Sequence, residues 1–444
     1  MKIPVALCAL VVLAAPAARA ADSADATERV RQTLLYGIDS QVLDVIQGLQ
    51  SSHDSGYTKE LAQVLSEQRS VEVRKAVLAL FLDQKVKEGE ASAKAVLSGW
   101  QDAQSDLLVS SIQYLAGIGA SGLSTALAPV VDSADNGVAL TAIQALGKVG
   151  DASSVTLLLG KLKSSDYPDA RKSEIILALG ARKDPAAVEA LLSIAGNTEE
   201  EKVRRMYAAD ALGKIGDARA VPVLKGMFGE KDALIRLYAA SALSQFGLDE
   251  AMPFLLQGLK DENWRLREQS AKALARPLPP GQSGSVVPIL AYKGRYDPVS
   301  QVRIASVQAL AAIGGADSMR ALADLYAGSD RPLDSREAAL QGLVDKALGM
   351  SLEPIRKVLA ESAGSFDTRT LESTAKVLST AQGAALREFY EKFLDSKDPV
   401  VRSYGIRGIA GNHMADMRDR IRKMSETDPN PGTRREAEVA LGRL

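Results

Sequence analysis

Apolar positions in this chain recur with helical spacing, and the spaced block itself recurs. In Val203–Phe228, VRRMYAADALGKIGDARAVPVLKGMF, the residues Met206, Ala208, Ala209, Leu212 and Ile215 fall at i, i+3, i+4 intervals and share one face of a helix. Gly216-Asp217 then punctuates, because glycine accepts the left-handed conformation in which helices end. Val221, Leu224 and Phe228 start another amphipathic helix, and Pro222 is tolerated because it lies in the first turn. The stretch Ile235–Leu256, IRLYAASALSQFGLDEAMPFLL, nearly repeats the block.

With Leu212 as reference, equivalent residues fall at Leu49, Leu80, Leu115, Leu146, Leu179, Leu243, Leu274, Leu310, Leu343, Leu378, Ile409 and Leu441, at intervals of 31 to 36 residues. Neither helix of a unit can bury its apolar face alone, so neighbouring units must stack. The pattern predicts an all-α chain, a right-handed α-solenoid of 12 to 13 helix pairs. It divides into a leader at 1–20, divergent repeats at 21–115, regular repeats at 116–275, a Pro/Gly-rich break with a short helix at 276–299, and further repeats at 300–444.

The unit Gly-Asp-x-x-Ala-Val-Pro-x-Leu is carried by Gly216, Asp217, Ala220, Val221, Pro222 and Leu224. It continues through Asp232, Arg236, Ala239, Ala240, Ala242 and Leu243. It resembles the HEAT repeat in its bacterial, phycobilisome-lyase-like variant. The resemblance implies a solenoid and leaves the function open, since one fold hosts many functions.

Arginine stands seven positions before the reference residue at Arg205, Arg236, Arg267, Arg303, Arg336, Arg402 and Arg434, and Lys172 fills the same place. A cation in the first turn opposes the helix dipole by roughly 0.3–1 kcal/mol, so a partner is required. Asp232, Asp261, Asp297, Asp398 and Asp428 lie just upstream of these arginines. The expected arrangement is a ladder in which each arginine bridges an aspartate of its own or the next unit. The position two before the reference is turned by about 200° from it and should face outward. Its occupants are Gln47, Gln113, Gln144, Asp210, Ser241, Lys272, Gln308, Gln341, Lys376 and Arg407, with Leu78, Leu177 and Val439 as exceptions. A stripe so rich in amides suits peptide backbone, protein loops or sugars.

The break RPLPPGQSGS, Arg276–Ser285, contains Pro277, Pro279 and Pro280, which no helix interior accepts. It predicts a hinge, a ligand loop or a plain insertion, followed by a short helix at Val286–Ala291 with Tyr292, Arg295 and Tyr296 crowding the next turn. Trp264 and Trp100 suit packing or an interface. The last helix, RREAEVALGRL, places Val439 at the outward position and shows no polar cap, which suggests fraying or an end-to-end contact.

Composition narrows the function. A formal net charge of -1 provides no general field for nucleic acid or anionic lipid. MKIPVALCALVVLAAPAARA has the charge, apolar core and A-x-A ending of a secretory signal, with cleavage expected after Ala20. The single cysteine, Cys8, lies inside it, so the mature chain would have no disulfide and no thiolate metal site. The only histidines are His53 and His413, in loop-like surroundings, and no His-Glu pair, phosphate loop or nucleophile elbow occurs. The expected protein is exported, periplasmic or secreted, free of cofactor and metal, and non-catalytic. It would act as an envelope scaffold or adaptor for a protein partner. The alternatives are a module binding peptidoglycan or another cell-wall glycan, and a lyase-like enzyme.

Overall fold

In the computed structural model, which describes residues 15–67, 69–362 and 368–444, all regular structure among the described residues is helical. It forms thirteen successive helix pairs. The expectation of an export signal at residues 1–20, with Cys8, concerns a segment whose first 14 residues lie outside the described ones. Each reference residue sits in or at the end of the second helix of its pair, and all except Leu441 are buried.

The chain divides into two compact units, residues 1–217 and 218–444. The first holds six pairs, from Ala15–Tyr36 with Asp39–Ser52 to Val188–Gly196 with Lys202–Ile215. The second holds seven, from Val221–Phe228 with Ala233–Leu243 to Arg418–Thr427 with Pro431–Leu441. One boundary between pairs is masked by continuity. The helix Leu333–Ser362 runs through a kink at Ala347, where φ is -154° and ψ 57°, so it supplies the second helix of one pair and the first helix of the next.

Local chemistry fixes where the helices start and stop. Asp135, Asp151, Asp184, Asp232, Asn263, Asp398 and Asn430 each cap a helix by accepting from backbone N–H groups of its first turn. Gly216, at φ 77°, ends the Lys202–Ile215 helix in the left-handed conformation. Close stacking inside the first unit relies on glycine of another kind. A Cβ on Gly147 would meet Ala178 at 2.7 Å, and one on Gly180 would meet Ala211 at 2.7 Å. These two glycines thus let their helices touch the next second helix almost backbone to backbone.

Two sequence expectations need correction. The short helix expected at Val286–Ala291 is a 14-residue helix, Ser283–Tyr296, with Pro288 inside it. Pro288 and Gly284 are both exposed, so the carbonyl that proline leaves unpaired faces water. The C-terminal pair is also polar at its end. Three positions before the reference, every other pair buries an aliphatic residue, for example Ile112, Ile143, Ala209, Val307 and Ile406. The last pair has Glu438 there, exposed. Burying that carboxylate under another unit would be costly, so this pair presents a charge where the others present an apolar side chain. Glu438→Leu is expected to produce larger species than the parent chain at equal concentration in sedimentation velocity, and unchanged sedimentation would refute a role of this charge in keeping copies apart.

Candidate binding face

The second helices carry two rows of polar residues, and they differ in how fully their groups are satisfied. The inner row is the arginines. In the second unit Arg236 donates through Nε and Nη2 to Asp261 at 2.9 and 3.0 Å. Arg267 does the same to Asp297 at 2.7 and 2.9 Å, Arg303 to Asp334 at 3.2 and 2.5 Å, and Arg402 to Asp428 at 2.7 and 2.7 Å. In each case the carboxylate belongs to the following pair. The Nη1 group turns back to two carbonyls of the loop before its own helix, as Arg267 does to Asp261 O and Glu262 O at 2.9 and 3.0 Å. These contacts explain how a cation is tolerated in the first turn, because it is held by loop carbonyls and a carboxylate.

Burial pushes the Asp297 carboxyl up. Hydrogen bonds from Arg267 and from the Val299 N–H, with the arginine's charge, outweigh this and hold it below its ordinary value. For Asp428 the Arg402 hydrogen bond is the largest influence and lowers it, against burial.

Other arginines of this row are placed differently. Arg336 is buried and donates to Tyr326 O at 2.9 Å and Thr370 Oγ1 at 2.9 Å, with its guanidinium 5.9 Å from the Tyr326 ring centre. Arg205, also buried, donates to Ala195 O at 3.1 Å. Arg434 reaches Asp428 O at 2.6 Å. Lys172 does not take the arginine's role. It is half-buried and pairs with Asp169 at 2.9 Å, while the buried cation of that pair is Arg171. Arg171 points back to Asn136 Oδ1 and Ser133 O, at 2.9 and 3.0 Å. A fixed seven-residue offset missed it by one residue; a search for arginine at either neighbouring position would have found it.

The outer row is solvent-facing. Gln47, Gln113, Gln144, Lys272, Gln308, Lys376 and Arg407 are exposed, while Asp210, Ser241 and Gln341 are partly covered. Leu78 is buried, Leu177 partly buried and Val439 exposed. Most charged members are already engaged. Asp210 holds Lys214 at 2.6 Å, Lys272 holds Glu268 at 2.7 Å, Lys376 holds Glu337 at 2.6 Å and Arg407 holds Glu436 at 2.8 Å. Gln341 donates to Asp345 at 2.8 Å. Among the described residues the side-chain amides of Gln47, Gln113, Gln144 and Gln308 have no hydrogen bond.

Two of these free amides share a groove. Gln113 and Gln144, from consecutive second helices, line one groove of about 300 Å³ with Leu82, Thr141 and Lys148. A second groove of about 300 Å³ lies between Pro399–Gly411 and Pro431–Leu441, walled by Tyr404 and Arg407 on one side and Glu436 on the other.

The two histidines occupy a repeat position. His53 at φ 53° and His413 at φ 51° are left-handed residues four after the reference, where other pairs have Gly216, Gly247 and Gly314. His53 is exposed with Nδ1 3.8 Å from Asp83, and His413 Nδ1 lies 3.2 Å from Arg443 O. Among the described residues no group of three or more His, Cys, Asp or Glu is placed to hold a metal ion, and no helix is long and apolar enough to cross a membrane.

Stacked helix pairs joined by short turns, with the register residue buried in pair after pair, define an α-solenoid. Residues 34–440 match the family described as Spirochaete HEAT repeat protein, and the chain belongs to that family. No curated protein matches it. Among solved structures it is similar to a chain of the complex in which Kap95p binding induces the switch loops of RanGDP to adopt the GTP-bound conformation. Identity is 12%, the TM-score is 0.55, and the match covers 94% of this chain and 60% of that one. It is also similar to importin beta, at 13% identity and a TM-score of 0.50, over 93% of this chain and 66% of that one. The chain thus spans no more than about two thirds of either relative, and likeness at this identity concerns the fold.

Proposed function

We propose that this chain is a non-catalytic scaffold or adaptor, exported to the cell envelope, which holds a protein partner along the outer row of its second helices. The observation that carries this reading is the shared groove of Gln113 and Gln144. Two unpaired amides, each able to donate and accept, lie side by side over an apolar floor, an arrangement that suits the backbone of an extended segment. Gln308 repeats the amide in the second unit. The engaged charges of Lys272, Lys376 and Arg407 act at the rim and steer more than they anchor. The likeness to a Kap95p complex supports a protein partner, since Kap95p binds RanGDP. Helix-ending positions for both histidines support the absence of catalysis. The signal-like start supports export, which fractionation of cells making the full chain would test.

The central test is capture. The chain carrying Gln113→Ala, Gln144→Ala and Gln308→Ala is expected to recover its partner from envelope extract at about a tenth of the parent's yield or less, consistent with the loss of anchor contacts. Its melting temperature should stay within a degree or two, since exposed substitutions away from special features usually change stability by less than about 0.5 kcal/mol. Undiminished recovery of the same protein would refute the outer row as the binding face.

A further inference from the structure

The first helices of the second unit carry a surface of another kind. The helix Ser283–Tyr296 exposes Tyr292 and Tyr296 in its last turns, at 59% and 52%. Their ring centres are 5.0 Å apart and the planes are inclined by 51°. The Arg295 guanidinium lies 4.6 Å from the centre of the Tyr296 ring. Opposite stand Asp324 and Leu325, from the helix Gly315–Ala327, and Arg331 from the loop after it, closing a cleft of about 270 Å³. Arg295 Nη2 donates to Asp330 at 2.8 Å, and Arg331 pairs with the same carboxylate. The Nε atoms of both arginines remain buried without a partner. A ligand in the cleft meets instead the partly exposed Arg295 side chain, which lines it.

We propose that this cleft binds neutral sugar rings of a glycan chain. A sugar ring has an apolar C–H face and a rim of hydroxyls that both donate and accept. The tilted tyrosines supply an exposed platform for the face. The partly exposed Arg295 guanidinium and the exposed Asp324 carboxylate supply a donor and an acceptor for the rim. The charges of Arg295 and Arg331 balance those of Asp324 and Asp330, two against two, so the cleft selects no net charge. An acidic peptide would meet both carboxylates, and a purely apolar segment would leave the Asp324 carboxylate without a partner. The site lies on first helices and is independent of the outer row of the second helices.

Isothermal titration of the full chain with chitotetraose and cellotetraose, beside an oligoglutamate and a proline-rich peptide, tests this. Saturable binding of at least one neutral oligosaccharide is expected. Tyr292→Ala and Tyr296→Ala should each weaken it by about tenfold, the equivalent of one stacked ring. Tyr292→Phe should retain it, because the ring and not the hydroxyl makes the contact. Gln308→Ala should leave it unchanged. In the parent chain, saturation-transfer NMR should show sugar C–H protons against tyrosine rings, a readout that needs no variant to fold. Absence of saturation by both sugars, indifference to both alanine substitutions, or saturation of the tyrosines by a peptide and not by sugar would each overturn the proposal.

Discussion

Asp297→Ala is expected to cost about 3–5 kcal/mol of the stability of the second unit, the range for removing one partner of a buried ion pair. The Asp297 side chain is fully buried and accepts both bonds of the Arg267 fork. Without it the guanidinium stays under the neighbouring pair with only the Asp261 and Glu262 carbonyls on its Nη1, and the charge is left uncompensated. Lys293 Nζ, 3.3 Å from the same carboxylate, loses its partner too. Chemical denaturation followed by amide exchange should show the pairs around 264–313 opening first, because stability in such arrays is a sum of neighbour terms. A loss below about 1 kcal/mol, the level of a surface pair, would refute the buried character of the bond. The sign with pH is fixed by the lowered carboxyl. Its contribution is fully present above the unfolded value near 3.8 and is lost as pH falls through the lower folded value. Asp428 behaves alike. Acid titration below about pH 4 should therefore destabilise the second unit progressively, and Asp297→Asn should flatten that limb.

Gly180→Leu is expected to destabilise the first unit strongly. In an ordinary helix interior, replacing glycine gains about 0.8–1.0 kcal/mol when alanine enters, and leucine gains nearly as much. Here the added Cβ lands 2.7 Å from Ala211 Cβ and 2.8 Å from Ala211 Cα. The second of these is backbone, so no rotamer change relieves it, and Asp169–Arg182 must move away from Lys202–Ile215. Overpacking of this kind costs roughly 1–3 kcal/mol and more where backbone must shift. The melting transition of Gly180→Leu should fall well below that of the parent chain, and Gly180→Ala should fall less. Gly180→Ala combined with Ala211→Gly should recover part of the loss, because the two sites share one contact. A stabilised Gly180→Ala would mean that helix propensity, not close approach, governs the position.

Register and pairing were legible because burial leaves a periodic trace. Leu212, Leu243 and Leu310 share neighbours of the same kind, so their surroundings repeat in sequence. The partners of polar groups leave no such trace. Only a spacing of four within one helix can be read: Gln341 has Asp345 there and is tied to it, while Gln308 has Ala312. Arg171 escaped because it stands one residue before the seven-residue offset that the other arginines keep. Pro288 does no harm inside its helix because it is exposed, and exposure is a tertiary property. Tyr292 and Tyr296 could be seen to crowd one turn, but the cleft depends on Asp324 and Arg331, roughly 30 residues on.

Each arginine and the aspartate it holds come from different pairs. Asp297 also binds a second arginine, since its backbone oxygen accepts from Arg303 at 2.9 Å while its side chain accepts from Arg267. At these four junctions of the second unit the bond belongs to the contact between adjacent pairs and not to one particular residue couple. Excision of one whole period from the regular part of the second unit would bring a new arginine to a new aspartate with both halves intact. Loss of half a period would strand them. Lineages of this protein can therefore lengthen or shorten by whole pairs at little cost to the seam, and changes in length among them should come in multiples of the repeat.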